Sequence, residues 1–154
     1  MKIFFRILII LTITFNISSC GYTPLYVGMK NIDMQIILLE NSGDREIKNN
    51  LERYLSQNLK NTENKKVKIK INSIYSKSIL AKDTAGVATS YNLQAKSSVI
   101  IDFEGSVQTL NIIESFEMNK LDNAFDEQNF ELDVKQNFSN IVYQKLMLKL
   151  SQIK

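Results

Sequence analysis

The chain has 154 residues, with 19 Lys and Arg against 16 Asp and Glu, one Cys, one Pro and no His. Without histidine there is no imidazole for a catalytic triad, a His metal site or acid/base work near neutral pH. One cysteine cannot close a disulfide within the chain, so an enzyme built here would have only carboxylates, hydroxyls and lysines.

Residues 1–19 have the three parts of a secretory signal peptide. Lys2 and Arg6 form the positive start. Ile7 to Ile13 are apolar apart from Thr12, and Ser18 and Ser19 are small. That apolar core is shorter than the ~20 residues a bilayer span needs. The box Ile17-Ser18-Ser19-Cys20 fits the lipoprotein pattern of an apolar residue, two small residues and a cysteine. Cys20 is therefore expected to carry N-acyl and S-diacylglycerol lipid and to begin the mature chain. Each buried methylene of that lipid contributes ~0.8 kcal/mol to membrane attachment. No other cofactor and no metal is expected.

The leader holds two basic residues and no acidic one, so the 135 residues from Cys20 onward carry 17 basic and 16 acidic side chains. That near-neutral balance gives no sign of a nucleic-acid partner. It is also enough chain for one domain with a real core. Residues 20–30 read as an acylated tether and 31–154 as a single domain.

Gly21-Tyr22-Thr23-Pro24-Leu25-Tyr26 follows the anchor. Pro24 keeps Thr23 out of the helical region, so the segment is expected to be extended, with Leu25 or Tyr26 packed on the domain or a partner. Asn31 to Glu40 reads as a strand, with Ile32, Met34, Ile36 and Leu38 on one face. Ile37 and Leu39 make it apolar on both faces, which predicts a covered, central position. Ser42 or Gly43 is placed to cap a helix over about 44–60, whose stripe is Ile47, Leu51, Leu55 and Leu59.

Lys66-Val67-Lys68-Ile69-Lys70-Ile71 alternates strictly, the clearest strand signal in the chain. The apolar phase changes after Asn72-Ser73, where Ile74 and Leu80 take the other parity, and a bulge is expected there. Lys82 to Gly86 is a hairpin connection. Tyr91, Leu93, Ala95, Val99, Ile101 and Phe103 then share one parity, while Ser90, Asn92, Gln94, Lys96, Ser98, Asp102 and Glu104 share the other. One face suits a core and the other water or a polar partner. Gly105-Ser106 turns the chain. Leu110, Ile112, Phe116 and Met118 alternate through a fourth strand. Asn123 is placed to cap a last helix over about 124–152, with Phe130, Val134, Phe138, Ile141 and Val142 on one face.

The order β-α-β-β-β-α predicts an α+β fold. A two-layer sandwich is expected, with a four-stranded mixed or antiparallel sheet and two helices on one face. Short connections make the last three strands antiparallel. The first helix is a crossover that lets strand one run parallel to strand two.

Three stretches resemble the LptE family, the lipoprotein subunit of the outer-membrane lipopolysaccharide translocon, in its alphaproteobacterial form. Cys20-Gly21-Tyr22-Thr23-Pro24-Leu25-Tyr26 is similar to the family's aromatic, Pro-Leu-Tyr start. Ala88 to Ala95 resembles its central strand motif, with Ser90 where a basic residue is usual. The helix from about Asp126 to Leu150 has the family's length and place, without its alanine- and arginine-rich character. The resemblance implies a non-enzymatic protein on the outer membrane. It would plug a large LptD-like β-barrel, assist its assembly and help deliver lipopolysaccharide to the outer leaflet. Gly21 after the lipidated cysteine, in place of Asp, is consistent with sorting to the outer membrane.

Lipopolysaccharide phosphates call for Lys or Arg. Lys66, Lys68 and Lys70 line one strand face, which also fits a solvated face that discourages edge pairing. Lys82 and Lys96 lie nearest the central motif and are the candidate ligand contacts, with Lys77 also nearby. Two other readings are an adapter lipoprotein of another envelope transport complex and a carboxylate enzyme using Asp102 and Glu104 on one strand face. No second constellation supports the enzyme.

Overall fold

The computed structural model describes residues 34–57 and 65–153. The leader, Cys20, the tether with Leu25 and Tyr26, and Leu59 lie outside the described residues. The elements are β1 (Gln35–Gly43), α1 (Arg45–Gln57), β2 (Lys66–Lys82), β3 (Ala88–Phe103), β4 (Ser106–Asn119) and α2 (Ala124–Ser151). The fold is the expected α+β arrangement, with the four strands of one sheet in the order β1-β2-β3-β4. β1 runs parallel to β2, and β2–β3 and β3–β4 are antiparallel.

The core lies between one face of the sheet and both helices. Val67, Ile69 and Ile71 of β2 pair with Phe103, Ile101 and Val99 of β3, and all six are buried. Ile47, Leu51 and Leu55 of α1 cover this layer together with Val134, Phe138, Val142, Leu146 and Leu150 of α2. The two helices also meet each other through the Tyr54 and Tyr143 rings, 5.7 Å apart. Fully burying each aliphatic side chain contributes about 1.5–3 kcal/mol, so this alternation on β2 and β3 accounts for the tight register.

Four expectations are corrected. β1 is an edge strand, not a central one, because among the described residues it pairs with β2 alone. Its second apolar face stays open: Leu39 is 53% exposed, at a register break between Leu38 and Glu40. No bulge occurs at Asn72-Ser73. The β2–β3 register runs unbroken from Val67 to Ile79, and Ser73 continues the buried parity while Ile74 faces out. A hydroxyl pair takes the place of an apolar contact there: Ser73 Oγ and Ser97 Oγ lie 2.8 Å apart, buried. The irregularities fall instead at Ile79 to Lys82, next to the hairpin.

The third correction is the first helix cap. Asp44 caps α1, its Oδ1 accepting from Glu46 N at 3.0 Å and Ile47 N at 3.1 Å. Gly43 makes the preceding turn. At φ +103 it presses on β2, and a Cβ there would stand 2.0 Å from the Ser73 carbonyl oxygen. The fourth concerns the last hairpin. Its turn is Glu104-Gly105, both at positive φ, with Phe103 paired to Ser106. Two positive-φ central residues make the tight turn that matches strand twist. Glu104 therefore leaves the strand face it was expected to share with Asp102. Asp102 Oδ1 instead accepts from Gly105 N at 3.2 Å.

The other two connections hold as expected. Gly86 turns the β2–β3 hairpin at φ +81. Asp83 Oδ1 braces it by accepting from Ala85 N and Val87 N. Asn123 caps α2 through Phe125 N at 2.9 Å.

Candidate interaction surface

The helices leave one whole face of the sheet uncovered among the described residues. The pairing sets its residues in rows that run from β2 across β3 to β4. Lys68, Asp102 and Val107 form one row; Lys70, Ile100 and Thr109 form the next. Asn72, Ser98 and Asn111 follow, then Ile74, Lys96 and Ile113, then Ser76, Gln94 and Ser115. The face is mostly amide, hydroxyl and ammonium, as the parity of β3 predicts. Two isoleucines are set into it, Ile74, which the expected bulge would turn to the core, and Ile113, which the sequence reading did not place: they are 58% and 60% exposed.

Lys96 stands between those two isoleucines, exposed, at mid-sheet. Lys82 is exposed at the β2–β3 hairpin, with Ala88 as its strand partner. It lies eight residues along β2 from Ile74, the partner of Lys96, or about 25 Å at ~3.3 Å per residue. The sheet thus separates the two candidate contacts. Lys66, Lys68 and Lys70 are exposed toward the opposite end, and Lys70 approaches Glu40 at 4.0 Å. Ser90 of the central motif is half-buried, opposite Ala81 and Asn119.

Lys77 has the other parity and a different role. It points to the helix side, where its ammonium donates to Glu127 at 2.8 Å and Glu131 at 3.1 Å and lies 4.4 Å from the Tyr91 ring centre. Burial alone would lower its pKa, but the two carboxylates outweigh that and the net shift is upward. The hydrogen bond from Lys77 in turn holds Glu127 below the usual carboxylate range. One turn further along α2, Lys135 donates to Asp44 Oδ2 at 3.0 Å and lies over the Tyr75 ring at 4.1 Å. Burial, and then the Glu131 carboxylate, push the Tyr75 hydroxyl well above the ordinary phenol range. These charges bind α2 to the sheet and to the start of α1. The signal was present in the sequence: Lys77 shares the core parity of β2, and Glu127, Glu131 and Lys135 recur every four residues on one helix stripe.

Chemically the bare face can make hydrogen bonds, ion pairs and a few apolar contacts over a long, flat area. No group of three or more metal-ligating side chains occurs among the described residues. No helix among them is long and apolar enough to cross a membrane.

No protein-family model matches the chain, and no curated protein does. Solved structures do. Rare lipoprotein B from Shewanella oneidensis superposes with a TM-score of 0.58 at 12% identity, over 75% of this chain and 95% of that one. An uncharacterized lipoprotein B from Nitrosomonas europaea gives 0.52 at 15% identity, over 79% and 90%. The chain is similar to these lipoproteins in fold, across nearly their whole length. That is the fold the sequence resemblance implies.

Proposed function

We propose that this chain is a lipoprotein of the LptE type, held on the outer membrane by an acylated Cys20. There it plugs a large LptD-like β-barrel, assists its assembly and helps lipopolysaccharide reach the outer leaflet. The fold shared with rare lipoprotein B (LptE) supports this reading, together with the Pro-Leu-Tyr start and the motif from Ala88 to Ala95. The observation that carries it is the uncovered sheet face, a long strip rich in Asn, Ser, Gln and Lys. A strip of that kind suits the lumen of a large barrel, which is polar. The role is one of binding and shape, without bond chemistry.

The test is affinity purification of the tagged, lipidated chain from outer membranes in mild detergent, with mass spectrometry of what accompanies it. A stoichiometric barrel protein is expected. It should be lost when the folded domain is deleted and kept when Cys20 is replaced. Recovery of an inner-membrane transporter alone would overturn the reading in favour of the adapter.

A further inference from the structure

The helix-facing side of β4 changes character along its length. Ile112 and Met118 are buried there, but Ser106 and Gln108 hold the same parity at the start of the strand and are exposed. Their partners on β3 are Phe103 and Ile101, which belong to the core. The end of α2 stands across from them, and the space between is a cavity of about 450 Å³. Ile101, Phe103 and Ile153 supply its apolar surface, and Glu104, Ser106, Gln108, Lys149 and Gln152 line the rest.

None of those five polar side chains has a hydrogen bond or ion pair among the described residues. Farther along the same side of the sheet such groups are matched, Lys77 by Glu127 and Ser73 by Ser97. A partly apolar cavity with several unpaired polar groups is the form of a small-molecule site, and such sites begin at about 300 Å³.

The lining chooses among ligands. Two glutamine amides and a serine hydroxyl each offer both donors and acceptors, which matches a ring of hydroxyls. The C–H face of such a ring suits Phe103 and Ile153. A fatty chain would strip water from Ser106, Gln108 and Gln152 and leave them unpaired. A phosphate would find one ammonium, Lys149, with the Glu104 carboxylate in the same cavity. It would also face the carbonyl end of α2, which carries partial negative charge.

We propose that this cavity binds a saccharide ring that carries no phosphate. Gln108, Gln152 and Lys149 donate to its hydroxyl oxygens, and Glu104 accepts from a hydroxyl or an amino group. The site differs from the uncovered face in place and in ligand, since Lys96 lies on the opposite side of the sheet. It needs this chain alone, so it stands apart from the barrel reading.

The test is NMR titration of the isotope-labelled, mature lipidated chain in a sugar-free detergent, first with glucosamine and then with phosphorylated glucosamine. The side-chain amide signals of Gln108 and Gln152 are expected to shift with glucosamine, and that of Gln94 on the uncovered face to stay in place. The phosphate should weaken binding. Gln108→Ala, at an exposed position, should weaken it by about fivefold, the worth of one neutral hydrogen bond. Lys96→Glu should leave it unchanged. Two further probes identify the source of the sugar: the dephosphorylated core oligosaccharide of lipopolysaccharide and the N-acetylated disaccharide of the cell wall. Tighter binding of either than of glucosamine supports the site and names its ligand. If none of the unphosphorylated sugars shifts Gln108 and Gln152, the proposal falls. It falls equally if the phosphate binds more tightly, or if Gln108→Ala titrates like the wild type.

Discussion

Ser73 and Ser97 face each other across the β2–β3 ladder with their hydroxyl oxygens 2.8 Å apart, among apolar side chains such as Ile71, Leu93, Ala95 and Val99. Each hydroxyl is buried, and the other is its hydrogen-bonding partner. Losing one partner strands the second at a cost of about 1–3 kcal/mol, whereas removing both leaves nothing polar unpaired. Ser73→Ala and Ser97→Ala are therefore each expected to cost about 1–3 kcal/mol, and the double variant Ser73→Ala/Ser97→Ala less than the two single costs added. Urea denaturation of the four proteins in the cycle measures this. Strict additivity would show that the pair is not coupled.

That pair also marks where the sequence stopped being readable. The strict alternation from Lys66 to Ile71 fixes the phase of β2, and the spacing of Ile47, Leu51 and Leu55 fixes α1. Both are periodic because burial is periodic. At Ser73 the periodicity in hydropathy fails while the periodicity in space continues, since a serine can be buried if another serine faces it. Only the partner strand reveals that, so a bulge was expected. The edge position of β1 was hidden for a similar reason. Its apolar residues on both faces describe composition, and which strand lies beside it is decided by the crossover of α1. The polar parity of β3 was legible as a face. That Lys82 and Lys96 lie far apart along it depends on the β2–β3 register.

Asp44 does two jobs with its two oxygens: Oδ1 caps α1 and Oδ2 accepts from Lys135 of α2. Asparagine can cap as well as aspartate, so Asp44→Asn should remove the ion pair and keep the cap. Asp44→Ala removes both. A lost cap costs about 1 kcal/mol, and the ion pair is well shielded, with side-chain exposures of 14% for Lys135 and 16% for Asp44. Thermal or urea unfolding should rank wild type above Asp44→Asn and Asp44→Asn above Asp44→Ala. Equal stability of the two variants would remove the cap from the account.

The Lys77–Glu127 pair links stability to pH. Glu127 is held below its ordinary pKa in the fold, first by the hydrogen bond from Lys77. A depressed carboxyl contributes stability above its unfolded pKa of about 4.3 and loses it as pH falls through the folded value. Lys77 is raised, so its contribution is complete below about 10.4 and is lost as pH climbs through its folded value. Wild type should exceed Glu127→Gln by most at neutral pH. The gap should shrink in acid below the usual Glu range. Denaturation curves over a pH series measure it, and a gap that stays constant into strong acid would assign the loss to packing instead.

Lys82 and Lys96 test the lipopolysaccharide reading, and their separation along the sheet makes the test sharper. A single phosphate cannot bridge about 25 Å of strand, so the two residues should act independently. Lys96 sits among Ile74 and Ile113, where an ammonium for a phosphate adjoins apolar surface for acyl chains. It should be the stronger contact. A charge-assisted hydrogen bond is worth about 1.5–3 kcal/mol, so Lys96→Glu is expected to weaken lipopolysaccharide binding in vitro by about tenfold or more. Lys82→Glu should have a smaller effect, and the double variant should equal the product of the two. Binding that the double variant leaves unchanged would exclude both lysines and move attention to Lys66, Lys68 and Lys70. That triplet lies on the same face at the far end of β2, where only Lys70 approaches a carboxylate among the described residues.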